Sequence, residues 1–131
     1  MAGGREATPD TRRATARRGE RLAALLLTAK GYRVVARNWR CASGEIDLVC
    51  RDGATLVFVE VKARRSGAAG DPEDAVDARK RARLVRLAQA YLAQHRLDDV
   101  PCRFDVVAVD RIAGIPRLRH LRAAFRADGD G

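Results

Sequence analysis

Lysine is nearly missing from a strongly basic chain. Of 26 basic residues among 131, 23 are arginine and only Lys30, Lys62 and Lys80 are lysine. Arginine cannot replace lysine where a compact, titratable ammonium is needed, so each lysine raises a question about its role. Cysteine is almost as scarce. Cys41, Cys50 and Cys102 are odd in number and contain no CxxC pair, which argues against a disulfide framework or a zinc site and fits a reducing, cytoplasmic setting. Long apolar runs are lacking too. The longest, Leu22 to Ala29, holds eight residues including Thr28, far short of the roughly 20 that cross a bilayer, so no membrane partner is expected. The N-terminal arginines have no apolar segment behind them, and a secretory signal is not expected. Gly67 and Gly70 lack a GxxxxGK loop around them, which removes a phosphate-binding loop of that kind. No Ser/His/Asp or Cys/His arrangement stands out, and His95 and His120, without a partner pattern, read as surface residues.

What is present is charge. The formal net charge is +9, which suits a polyanionic partner such as nucleic acid, although anionic membranes and ribosomal contacts carry the same requirement. The length fits one domain with a core of its own. Residues 1–13 are Gly-, Arg- and polar-rich without a period and are expected to form a disordered tail. Residues 14–125 are expected to fold as one unit and 126–131 to fray. The apolar spacing predicts a helix over 14–30, apolar all round between Leu22 and Leu27 and stopped by Gly31. Strands are predicted over 32–38, 45–50 and 55–63, with Asp52-Gly53 as the turn between the last two. A loop over 65–72 leads to a long helix over 73–95. Its acids Glu73, Asp74 and Asp77 lie at the start, where they complement the helix dipole. A fourth strand is predicted over 103–110, and residues 118–125 read as a short fifth strand or a turn. The order α-β-β-β-α-β predicts a mixed sheet flanked by helices in one α/β fold.

Charged groups interrupt the two runs that should be most buried. Gly44-Glu45-Ile46-Asp47-Leu48-Val49 and Phe58-Val59-Glu60-Val61-Lys62 are apolar strands carrying carboxylates and a lysine. Burying an unpaired charge is costly. Strand alternation puts Glu45, Asp47 and Val49 on one face, and Phe58, Glu60 and Lys62 on one face. If a hairpin joins those faces, Asp47, Glu60 and Lys62 meet. Two adjacent carboxylates suit a hard cation such as Mg²⁺ or Mn²⁺, and the carbonyl of Val61 offers a further oxygen. Such an ion polarises a phosphate and lowers the pKa of bound water. A neighbouring ammonium holds the attacking water or offsets charge developing on the phosphorane.

The spacing Asp47, then Glu60-Val61-Lys62, resembles the D-x(n)-E-x-K signature of the restriction-endonuclease-like superfamily. The wider string is similar to the YraN family of predicted nucleases, related to Holliday junction resolvases. It comprises Arg18-Gly19-Glu20, Gly31-Tyr32, Arg37-Asn38-Trp39-Arg40, Gly44 to Val49, Phe58 to Arg64, Ala75-Val76 with Lys80, Ala88 with Tyr91-Leu92, and Arg103 to Val107. It covers residues 17–125. The resemblance implies a restriction-endonuclease-like core, metal binding by Asp47 and Glu60, a catalytic role for Lys62, and a helix acid, Glu20, that joins the site. Where the superfamily often has proline before the first acid, this chain has Ile46. The activity implied is Mg²⁺-dependent endonucleolytic cleavage of DNA, with branched or structured DNA as a candidate substrate. A resolvase makes two symmetric cuts and so calls for a homodimer.

Plainer readings stand beside these. Glu60 and Lys62 could form an exposed ion pair worth about 0–1 kcal/mol. Glu45 reads as structural or substrate-side rather than a ligand. Glu20 could be a solvated charge beside Arg17 and Arg21. Lys80, on the inward stripe of the long helix, either touches phosphate or snorkels. Arg40 and Arg64 are further candidate nucleic-acid contacts. Trp39, between Arg37 and Arg40, could stack on a base but reads first as core. Asp105 reads as support for the site or as the cap of a hydrogen-bond network. The rival to the nuclease is a nucleic-acid-binding module that keeps the fold without cutting.

Overall fold

A computed structural model describes residues 9–64 and 77–127, and the side chains of 11–63 and 77–127. The elements are α1 (Pro9–Ala29), β1 (Arg33–Cys41), β2 (Gly44–Asp52), β3 (Thr55–Arg64), α2 (Ala78–Gln94), β4 (Cys102–Ile112) and β5 (Ile115–Phe125). One sheet runs in the order β1-β2-β3-β4-β5. Among the described strands β3 and β4 pair in parallel and the other neighbours are antiparallel. The expected order α-β-β-β-α-β is present with β5 added as a full eleven-residue strand.

Local chemistry explains most boundaries. At the end of α1, the amide of Gly31 (φ 96°) donates to Thr28 at 3.0 Å and that of Tyr32 donates to Leu27 at 2.9 Å. This is a Schellman stop, and it needs a residue that tolerates positive φ. Gly53 (φ 62°) turns β2 into β3 where expected. Ala113 and Gly114 both have positive φ (53° and 80°) between β4 and β5. That is the twist-matched two-residue hairpin, and it allows β5 to begin at Ile115 rather than Leu118. Helix α1 begins at Pro9, so residues 9–13 of the expected tail are helical; proline is favoured in a helix's first turn, where its missing N–H costs nothing. Helix α2 begins at Ala78, later than expected, because Asp77 is its N-cap and accepts from the Lys80 amide at 2.9 Å. Glu73 and Asp74, and the loop expected over 65–72, lie outside the described residues.

The sheet carries a core on each face. Helix α1 presses Ala23, Ala24 and Leu27 onto Leu48, Val57 and Val59. Helix α2 presses Leu84, Leu87 and Tyr91 onto Ile46, Phe58 and Val106. Trp39 packs edge-on to Tyr91 with ring centroids 5.3 Å apart, so the core reading of that residue holds. Cys41, Cys50 and Cys102 are free thiols. Helix α1 lies close to the sheet at one point: a Cβ on Gly19 would sit 2.9 Å from the Cβ of Ala63.

His120 corrects its expected surface position. Its side chain is 3 % exposed and its Nε2 lies 2.8 Å from Asp105 Oδ2. Its Nδ1 lies 2.9 Å from Lys30 Nζ. The fully buried Asp105 also accepts from Tyr32 Oη at 3.1 Å, Arg103 Nε at 3.0 Å and the Ala123 amide at 3.0 Å. Arg103 reaches on to Asp52 at 2.9 Å and to the Tyr32 hydroxyl. Sequence spacing hid this cluster because its members come from the α1–β1 turn, β2, β4 and β5. Burial alone would raise the Asp105 carboxyl, but bonds from His120, Arg103 and the Ala123 amide outweigh it and hold it near 2.

Two stability outcomes follow from this packing. Gly19→Ala gains up to about 1 kcal/mol of helix propensity but must push α1 off β3. Overpacking costs about 1–3 kcal/mol, so urea unfolding should show net destabilisation. Asp105→Ala takes the acceptor from the Tyr32 hydroxyl, His120 and the Ala123 amide and leaves Arg103 with Asp52 as its carboxylate partner, which should cost about 3–5 kcal/mol. Because the Asp105 carboxyl is depressed from 3.8 to about 2, its contribution is complete above pH 4 and is lost as the pH falls toward 2. In acid titration the stability gap between wild type and the variant should therefore narrow by about 2 kcal/mol as the pH falls to 2.

Candidate metal and phosphate site

The sheet forks where the sequence concentrates its charge. Pairing of β2 with β3 runs from Asp52↔Thr55 to Leu48↔Val59. Beyond that point β2 continues beside β1 to Cys41↔Gly44, and β3 continues beside β4 to Arg64↔Asp110. Asp47 is the first β2 residue past the last pair, and Glu60 is the first on β3. The Val61 amide, released from the ladder, donates to Asp47 Oδ2 at 2.7 Å. A side chain thus closes the gap that the backbone leaves open.

The expected facing of β2 is corrected at this point. Ile46 and Val49 both join the α2-side core, while Leu48 and Cys50 join the α1 side. Alternation therefore breaks once between Ile46 and Leu48, at Asp47. Glu45 lines a cleft with Arg17 and Glu20 of α1, on the face opposite Val49. The neighbouring strand reverses its facing at the same place while keeping register: Ala36 and Trp39 both pack on the α2 side, and Arg37 pairs with Leu48 and Trp39 with Ile46, placing Asn38 (φ 50°) opposite Asp47. Asparagine tolerates this left-handed backbone better than most residues. Its Nδ2 donates to Glu20 Oε1 at 2.9 Å, which fixes the helix acid against the sheet.

Electrostatics show which groups have converged. Burial, followed by the charge of Glu60, lifts the Asp47 carboxyl from 3.8 to about 8; Glu20 and Glu45 add to the rise, and the Val61 amide opposes it. Glu60 is also raised, mainly by burial, with Glu20 adding to it. Arg83, Lys80 and Lys62 pull it down, in that order. The structure therefore brings Glu20, Asp47, Glu60 and Lys62 into one neighbourhood, with Lys80 beside them. In the sequence Arg83 is one of the run Arg79, Arg81, Arg83 and Arg86, which reads as a track for a phosphate backbone or as a solvated face without separating Arg83 from the rest. Its spacing three residues after Lys80 was the available signal, since residues three apart share a helix face. Arg40 stands outside this group, exposed and 3.8 Å from Glu45. Arg64 ends β3, and its side chain lies outside the described residues.

The residues suit a hard divalent cation of the Mg²⁺ type. Asp47 and Glu60 are carboxylates that repel one another in a half-buried notch, and an oxygen-seeking cation would relieve that repulsion. The Val61 carbonyl is the third oxygen expected from the sequence. Among the described residues no three His, Cys, Asp or Glu side chains are placed to hold an ion unaided. That agrees with Mg²⁺, which usually takes one or two carboxylates and completes its coordination with water and substrate.

A mixed five-stranded sheet between two helices, with this order and connection, is an α/β restriction-endonuclease-like core. Comparison with known proteins then identifies the chain further. The profile described as "Uncharacterised protein family UPF0102" matches residues 19–109. A UPF0102 protein of Anaeromyxobacter dehalogenans is 50 % identical over 131 residues, covering 100 % of this chain and 96 % of the relative. UPF0102 protein STH1475 of Symbiobacterium thermophilum is 54 % identical over 110 residues, 83 % of this chain and 93 % of its own length. A UPF0102 protein of Beutenbergia cavernae is 57 % identical over 105 residues, 79 % of this chain and 89 % of the relative. The chain belongs to the UPF0102 family, also called YraN.

The raised Asp47 carboxyl makes stability fall with alkalinity. A carboxyl raised from 3.8 to about 8 takes up a proton on folding between those values, so stability declines through that window by at most about 1.4 kcal/mol per pH unit. Asp47→Asn keeps an acceptor for the Val61 amide and removes the repulsion. In chelator, its thermal midpoint at pH 8 should exceed that of wild type; an equal or lower midpoint would show that Asp47 does not carry the strain.

Proposed function

We propose that this protein is a metal-dependent endonuclease that hydrolyses DNA phosphodiester bonds. The observation that carries the reading is the forked sheet, where two mutually repelling carboxylates sit beside three cations in a basic protein. Nothing in a purely structural strand pair calls for that arrangement. An ion bound by Asp47, Glu60 and the Val61 carbonyl would polarise the scissile phosphate and acidify its bound water.

The chain's own side chains have separable tasks. Lys62 holds the attacking water or offsets charge developing on phosphorus. Lys80 and Arg83, brought to Glu60 by α2, attract the phosphate and hold its strand. Glu20, fixed by Asn38, completes the acidic side and keeps the site selective for cations. The +9 net charge supplies affinity for nucleic acid without regard to sequence. Two symmetric cuts on a branched substrate would need a second copy of the chain.

Labelled linear, flapped and four-way-junction DNA, incubated with Mg²⁺, Mn²⁺ or chelator, tests this directly. Cleavage should require the metal. Glu60→Ala and Lys62→Ala should each reduce it by about 10²-fold or more while the protein still unfolds cooperatively. Binding without cleavage under every condition would sink the nuclease reading. It would favour the non-catalytic binding module.

A further inference from the structure

Beside the carboxylates, between α1 and the ends of β1 and β2, lies a cleft of about 400 Å³. Arg13, Arg17, Glu20, Asn38, Arg40 and Glu45 line it. Arg13 and Arg17 are one helical turn apart and so share a face. Among the described residues neither has a carboxylate at ion-pair distance, whereas Arg40 lies 3.8 Å from Glu45. Two uncompensated guanidiniums at one rim suit the planar recognition of phosphate. Glu20 belongs to both the cleft and the neighbourhood of Asp47 and Glu60, so an occupant of the cleft lies next to the bond to be cut.

The size of the cleft constrains its occupant. Its volume falls within the roughly 300–1,000 Å³ of small-molecule pockets, several times what one phosphate group fills. A base-paired duplex presents only its phosphate ridge to such a cleft, because its bases are stacked inside. An unpaired nucleotide can enter whole. The Asn38 Nδ2 is committed to Glu20, which leaves carboxylate and amide oxygens to accept from the amino groups of a base. Pulling a base out of a duplex costs a few kcal/mol, and a strand that is already unpaired avoids that cost.

We propose that this cleft is a nucleotide subsite: it takes one unpaired nucleotide of the cleaved strand, with Arg13 and Arg17 on its phosphate. The proposal rests on the nucleic-acid reading above and deepens it, since it makes flapped or single-stranded DNA the preferred substrate class over plain duplex.

Fluorescence anisotropy in chelator separates this subsite from catalysis, because no bond is broken. Wild type should bind a flapped duplex about tenfold more tightly than a blunt duplex of equal length. Arg13→Ala/Arg17→Ala should abolish that preference. The charge-matched control Arg33→Ala/Arg117→Ala, which alters exposed residues away from the cleft, should weaken both substrates by one common factor and keep the preference. Thermal melts establish that both double variants are folded. No preference in wild type, or equal behaviour of the two double variants, would overturn the subsite. If the preference tracks the cleft while wild type cuts nothing with Mg²⁺ or Mn²⁺, the subsite stands and the nuclease reading alone fails.

Discussion

The hydrogen bond from the Val61 amide to Asp47 Oδ2 spans the point where β2 and β3 part. A backbone amide withdrawn from a ladder must find another acceptor or leave a buried donor unmet. Asp47 supplies it, and in doing so is held at the mouth of the fork. Glu60 occupies the matching position on β3. The two strands could stay paired only by giving up the notch, and the notch could not persist without a short polar side chain to satisfy the freed amide. Asn38 does the corresponding work on β1 by taking a left-handed backbone opposite Asp47 and reaching Glu20.

Charge is distributed unequally across the molecule. At one end Asp105 gathers donors from the α1–β1 turn, β4 and β5 until its carboxylate is better served than in water. At the fork the carboxylates are raised instead, and the cations that temper Glu60 do not bring it back to its ordinary range. The first cluster holds elements together; the second strains them. A protein that keeps a strained cluster while satisfying a comparable one elsewhere is treating the two differently, as expected where polar groups are positioned for a ligand.

Much of this was legible in the chain. The helix stop at Gly31, the Asp52-Gly53 turn and the element order depend on local residue chemistry. The convergence of Asp47, Glu60 and Lys62 followed from two charged strands joined by a short hairpin. Three things were hidden. The break in alternation at Asp47 depends on β1 and β2 reversing their facing together, which no single strand's pattern reveals. The burial of His120 depends on β5, whose edge position and arginines mask its inward residues. The start of α1 at Pro9 lies in a stretch whose composition resembles a tail, although proline is acceptable in a first turn. In each case the deciding partner is distant in sequence or the local signal is ambiguous.

The parallel pairing of β3 with β4 has a consequence for how the molecule comes together. Glu20, Asn38, Asp47, Glu60 and Lys62 all precede residue 64; adjacent hairpins unite the last four through short loops, and Asn38 ties in Glu20 from α1. Strand β4 and the cations of α2 arrive later in the chain, and their contacts close large loops, which is slow. The N-terminal meander thus carries the mutual repulsion, and Lys80 and Arg83, which moderate it, come from the later half of the chain. Completion of the sheet is then also an act of charge compensation, and the second half of the polypeptide serves the first as a counter-ion that folds.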